Sequence, residues 1–161
     1  MGLMDKLKSV KSSITGDWAT VIVRADPVDR GGSLEVTADV TVKGQDIGTE
    51  GIVLEVRCEE IIDIPNATVH DDVFGNDDDR GNRATGRATS SETLFEQKVT
   101  AAGPQHLAAG SATTVTGSIP IPATAPPAFD GRYARYEWQV RARVDMKGND
   151  PDSGWQAIQV G

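Results

Sequence analysis

This chain is poor in the residues that carry most covalent and metal chemistry. Its 161 residues include one cysteine, two histidines and 5% aromatics. With Cys58 alone, no intrachain disulfide and no paired-cysteine zinc or redox site can form. His70 and His106 fall in neither an HExxH nor an HxxxH spacing, which excludes the common helical zinc motifs. No Gly-x-Ser-x-Gly elbow is present, so a nucleophile–base triad has nothing to be built from. No run of 18 apolar residues occurs, which excludes a transmembrane helix. Residues 1–15 scatter lysines where a signal peptide needs an unbroken apolar stretch. These absences point to a single cytoplasmic domain with no enzymatic activity, no cofactor and no catalytic residues. Domains of this length bury roughly 70% of their extended-chain surface.

What is abundant is acid, and it is unevenly placed. The formal net charge is −8, from 24 acidic and 16 basic side chains. Eight of the acids lie between Glu59 and Asp79, a stretch with no lysine or arginine. Setting those eight aside leaves 16 acids against 16 bases. Such a chain is not expected to bind nucleic acid.

The hydropathy pattern is mostly that of strands. Leu34, Val36, Ala38, Val40 and Val42 alternate with Glu35, Thr37, Asp39, Thr41 and Lys43, the mark of a half-buried antiparallel strand. Further strands are predicted at 18–25, 51–59, 92–100, 111–119, 135–146 and 155–160, separated by Gly, Pro, Asn and Asp clusters. Cys58 falls on the apolar face with Ile52, Leu54 and Val56, as a small core residue. Residues 71–91, with the run Asp77-Asp78-Asp79 and the scattered Gly75, Gly81 and Gly86, read as a long solvated loop. The proline-rich stretch from Ile119 to Gly131 reads as an extended crossover outside any ladder. Ahead of the strands, Leu3, Leu7, Val10 and Ile14 recur at helical spacing over residues 1–15, with Lys6, Lys8 and Lys11 on other faces. The fold class is therefore an all-β, immunoglobulin-like antiparallel sandwich over 16–161, preceded by a short amphipathic helix.

The run from Ile119 to Met146 resembles the signature of the arrestin superfamily. It has Pro126-Pro127-Ala128-Phe129-Asp130-Gly131-Arg132-Tyr133 leading into Tyr136-Glu137-Trp138-Gln139-Val140 and an alternating basic face. Glu92-Thr-Leu-Phe-Glu and the strand at 111–119 are similar to the family's preceding pair of strands. Gly31-Gly-Ser-Leu-Glu-Val-Thr-Ala-Asp-Val stands where arrestins carry Pro-Gly-x-x-Val-x-Gly, with glycine for the proline and Ala38 for the second glycine. The ending from Ala142 to Ser153 and the helix ahead of the first strand are similar to the bacterial sporulation-control branch. The resemblance implies arrestin-like topology and a non-enzymatic interaction scaffold whose partner is a protein. Those relatives usually pair two sandwiches and this sequence holds one, so phospho-receptor and clathrin binding are not carried over.

Several groups are candidates for the site, each with a plainer alternative. Arg135, Arg141 and Arg143 form a basic stripe, either a docking surface for an acidic or phosphorylated segment or an outer face with cross-strand ion pairs. Pro126, Pro127 and Phe129 mark the crossover as a second docking place. Leu3, Leu7, Val10 and Ile14 would pack on the sandwich, make a homo-oligomer, or touch a membrane surface. Asp145, Asp150 and Asp152, with Asn149, are weak metal candidates against ordinary turn chemistry. Calcium- or small-ligand binding, and a structural role in a larger assembly, stand as the competing functions.

Overall fold

The computed structural model describes residues 18–70, 83–148 and 150–161. Ten strands follow one another: β1 (Ala19–Ala25), β2 (Ser33–Val42), β3 (Ile47–Thr49), β4 (Gly51–His70), β5 (Arg83–Ala102), β6 (Gln105–Leu107), β7 (Ala112–Pro120), β8 (Phe129–Asp130), β9 (Ala134–Asp145) and β10 (Gln156–Ile158). They form a three-stranded sheet in the order β1-β2-β7 and a five-stranded sheet in the order β10-β9-β4-β5, with β8 also on β9. All these pairings are antiparallel. The small ribbon β3-β6 closes one end, burying Ile47, Thr49 and Leu107. Among the described residues no helix is long and apolar enough to cross a membrane. The amphipathic residues Leu3, Leu7, Val10 and Ile14 lie outside the described residues.

Alternation sets which side of each strand faces in. Leu34, Val36, Ala38, Val40 and Val42 of β2 are buried, as are Ile52, Leu54, Val56 and Cys58 of β4 and Trp138, Val140, Ala142 and Val144 of β9. These sets meet in one aliphatic core between the two sheets. The two sheets come close together at Gly117 of β7, where an added Cβ would lie 2.8 Å from Leu54 Cδ1 and 3.2 Å from Val99 Cγ1. Glycine is thus required there by space.

Two expectations need correction. The loop expected over 71–91 is strand from Arg83 onward, because β5 pairs with β4 out to His70–Arg83. β9 ends its pairing with β4 at Ile62–Ala134. Beyond that row, among the described residues, no third strand lies beside the β4–β5 pair, and Thr85 to Ser91 are exposed. A ribbon wet on both faces needs no apolar alternation; the ladder bonds suffice locally, so threonine, serine and alanine look like loop. Asn66, with φ 60°, sits in the register shift between Ile64 and Ala67, a conformation asparagine tolerates better than most residues. The crossover is also not free of pairing. Pro120 ends β7 opposite Ser33, at a strand that forms the edge of its sheet and so loses no donor. Phe129 and Asp130 pair with Tyr136 and Arg135.

Two outcomes follow from this core. Gly117→Val is expected to lower stability by about 1–3 kcal/mol through overpacking against Leu54 and Val99, measured by urea unfolding. Cys58 is 0% exposed, and burial, with the Glu59 charge adding to it, pushes its thiol up to about 11. A thiol-selective reagent at pH 8 should leave Cys58 untouched in the native chain and modify it completely once denatured; rapid native labelling would contradict that.

Candidate functional site

The outer edge of β9 is where the chain concentrates irregular structure. A bare edge strand is a pairing hazard, and most folds cover it. Here three short pieces do so. β8 pairs at Tyr136 and Arg135. β10 pairs along Trp138 to Val140. Asp152 bridges Arg143, where Val144 N–H donates to Pro151 O at 2.9 Å and Ser153 N–H to Ala142 O at 2.9 Å. Between β8 and β10 the cover is incomplete, leaving an open groove of about 630 Å³ whose lining includes Phe129, Tyr136, Trp138 and Ile158, with Arg135 and Glu137.

The groove is built from the crossover upward. Trp138 is buried, 1% exposed, and its Nε1–H donates to Pro126 O at 2.9 Å. That bond holds the Pro126-Pro127 segment against β9, and Ala128 N–H donates to Val160 O at 2.8 Å. The chain then places Phe129 beside Tyr136, with ring centroids 6.1 Å apart and planes tilted by 50°. Gly131 closes the turn, its N–H donating to Ala134 O at 2.9 Å. A Cβ at Gly131 would sit 2.6 Å from the Phe129 ring, so glycine is what lets that ring lie back. Phe129 remains 54% exposed: an aromatic ring held in place by its neighbours yet open to solvent. Arg135 Nε donates to Glu137 Oε1 at 2.5 Å. That bond, helped by the nearby Asp130 and Asp63 charges, raises the pKa of Arg135. The structure thus brings together Phe129, Arg135 and the Pro126 backbone from the residues anticipated in the sequence.

Arg141 and Arg143 lie elsewhere, on the solvent side of the five-stranded sheet. There Glu55 is only 4% exposed. Arg141 Nε donates to Glu55 Oε2 at 2.7 Å, Arg143 Nη2 stands 3.9 Å from Oε1, and Arg143 Nε is 2.9 Å from Asp145 Oδ1. Arg57 binds Gln139 Oε1 through Nε at 3.0 Å and Nη2 at 2.8 Å. Trp155 lies over this array, its ring centroid 4.1 Å from the Arg57 guanidinium and 4.5 Å from that of Arg141. Such stacking adds roughly 0.5–2 kcal/mol where the cation is desolvated. The stripe is therefore an internally paired face.

The remaining candidates resolve into structural contacts. Asp150 Oδ1 accepts Met146 N–H at 2.9 Å and Asp152 Oδ1 accepts Gly154 N–H at 2.6 Å. Among the described residues no group of three or more His, Cys, Asp or Glu could hold a metal ion. His106 stands in β6 with Nε2 3.4 Å from Asp46 Oδ2, and the side chain of His70 lies outside the described residues. Glu55 and Trp155 were not singled out in the sequence, although Glu55 sits alone between the inward residues Leu54 and Val56. Tyr136 and Ile158 were also missed, because the groove exists only through the pairing of β8 and β10 on one strand.

Arg141→Met is expected to cost about 3 kcal/mol in urea unfolding, since it strips its main partner from a buried carboxylate. The double variant Glu55→Leu/Arg141→Met should recover most of that loss; an additive pair would show that the two side chains are uncoupled.

No protein-family model matches this sequence, and no curated protein matches it. Among solved structures, the chain is similar to the crystal structure of Spo0M, sporulation control protein, from Bacillus subtilis, with a TM-score of 0.56 and 16% identity over 89% of this chain. The match covers 49% of the Spo0M chain, so this chain spans about half the length of that protein. At that identity the likeness is one of fold: the chain has the arrestin-like fold of Spo0M.

Proposed function

We propose that this chain is a non-catalytic protein-interaction module, regulatory in role, that docks a protein partner in the groove between β8 and β10. The observation that carries the reading is Phe129, a ring 54% exposed yet pinned by Tyr136 and by the turn at Gly131. Interface hot spots have this character, because an aromatic anchor already ordered loses little entropy on binding. The likeness to Spo0M, a sporulation control protein, supports a regulatory reading. Arg141 and Arg143 carry less weight as a docking surface, since their guanidiniums are engaged with Glu55 and Asp145.

Phe129→Ala is the test. Partner capture from native extract by the wild-type chain should be lost in the variant, while Ile22→Ala, at an exposed position on β1, captures normally. Both substitutions should leave unfolding free energy within about 0.5 kcal/mol. Undiminished capture by Phe129→Ala would refute the groove as the docking site.

A further inference from the structure

The cross-strand register carries the groove further than its own walls. Phe129 of β8 pairs with Tyr136 of β9, Tyr136 with Glu60 of β4, and Glu60 with Glu92 of β5. Four strands therefore contribute one row, two rings followed by two carboxylates. The row lies on the core-side face, immediately beyond the row Trp138–Cys58–Phe95. Like charges directly opposite one another on a sheet are destabilising. Nearby acids are neutralised: Glu59 by Arg57, Asp63 by Arg87 and Glu137 by Arg135. Glu60 and Glu92 have no ion pair among the described residues.

Resting on the docking reading above, we infer that the partner's segment is basic: an apolar residue enters the groove at Phe129 and Tyr136, and an arginine or lysine follows it onto Glu60 and Glu92. Charge complementarity selects the cation, which gains charge-assisted hydrogen bonds from two unpaired carboxylates and the π face of Tyr136. Spacing selects the segment. Strands lie about 4.8 Å apart, so the step from the groove to the carboxylates is roughly 7–10 Å, or two to three residues of extended chain.

The test is calorimetric titration of the full chain with acetyl-GLSRRG-amide and its neutral counterpart acetyl-GLSQQG-amide. The basic peptide should bind at least about tenfold more tightly, with an affinity that falls as salt rises. The double variant Glu60→Gln/Glu92→Gln should weaken the basic peptide about tenfold and leave the neutral one unchanged. Its unfolding midpoint should be equal or higher, because it removes like charges from directly opposite positions on the sheet. A lowered midpoint, equal binding of the two peptides, or no binding at all overturns the inference. If the two peptides bind equally and Phe129→Ala abolishes both, the basic partner falls and the groove stands; if Phe129→Ala changes neither, the groove falls too. Carbodiimide coupling of Glu60 or Glu92 to Lys6, Lys8 or Lys11 within one chain would make the chain's own N-terminal residues the occupant. A dimer that sediments as such and blocks the peptide would make it a second copy. Either result also overturns the inference.

Discussion

The indole N–H of Trp138 is the constraint on which the site depends. Trp138 is the largest fully buried side chain described, and a buried N–H left unpaired costs roughly 1–3 kcal/mol. The core therefore has to bring a carbonyl to it, and the one supplied is Pro126 O, from the crossover. Proline suits that place, because the segment needs fixed φ and no donor of its own. Once Pro126 is anchored on β9, Ala128 reaches Val160, Phe129 falls beside Tyr136 and Gly131 turns the chain into β9. The groove is thus a consequence of how one polar atom in an apolar core is satisfied. Phe95, whose ring centroid is 5.4 Å from that of Trp138, holds the indole from the β5 side.

The two faces of the five-stranded sheet solve different problems. Its inner face packs so closely on the other sheet that β7 carries Gly117 opposite Leu54 and Val99, where a side chain would collide. Its outer face puts Glu55 between Lys98 of β5 and Arg141 of β9, and Arg57 between Glu96 and Gln139. Opposite charges across neighbouring strands contribute about 0.2–1 kcal/mol each, and Trp155 shields part of the array from water. The small sheet repeats the device once, with Asp39 receiving Arg24 and the Thr114 hydroxyl. The Thr114 bond, with Arg24 beside it, holds the Asp39 carboxyl below the ordinary aspartate range. Its contribution to stability is present above about pH 4 and fades as the pH falls through the lowered value.

Much of this was legible before any coordinates. The alternation in 33–42 and 135–145 placed β2, β9 and their inward residues correctly, because a strand with one buried face must alternate. Cys58 was legible for the same reason. The distal half of β5 was not, since Thr85 to Ser91 are held by ladder bonds to β4 and stay exposed, burying no apolar face. The short strands β3, β6 and β8 were missed because two or three residues carry no period. Of the site, Phe129 stood out as part of the arrestin-like crossover after Pro126-Pro127, and Arg135 as a base on an alternating strand. The pairing of Arg141 with Glu55 and the row ending in Glu92 could not be read, because register between strands distant in sequence is not written in either strand alone.

That row also gives the uneven charge a structural meaning. The acids between Glu59 and Asp79 begin where β4 leaves the sandwich: Cys58 is the last core residue, and Glu59 and Glu60 follow it. On the solvent side Glu59 meets Arg57 and is absorbed into the ion-pair array. On the core side Glu60 emerges past the edge of the apolar core and meets Glu92. A single step along the strand thus separates a compensated carboxylate from one whose cross-strand partner is another carboxylate. Sheet pairing alone gives no reason for two carboxylates in register, since a threonine or glutamine at either position would pair at least as well. Two carboxylates in register beside an exposed, immobilised ring fit the proposed docking site, since binding sites commonly keep residues that sheet stability alone would not select.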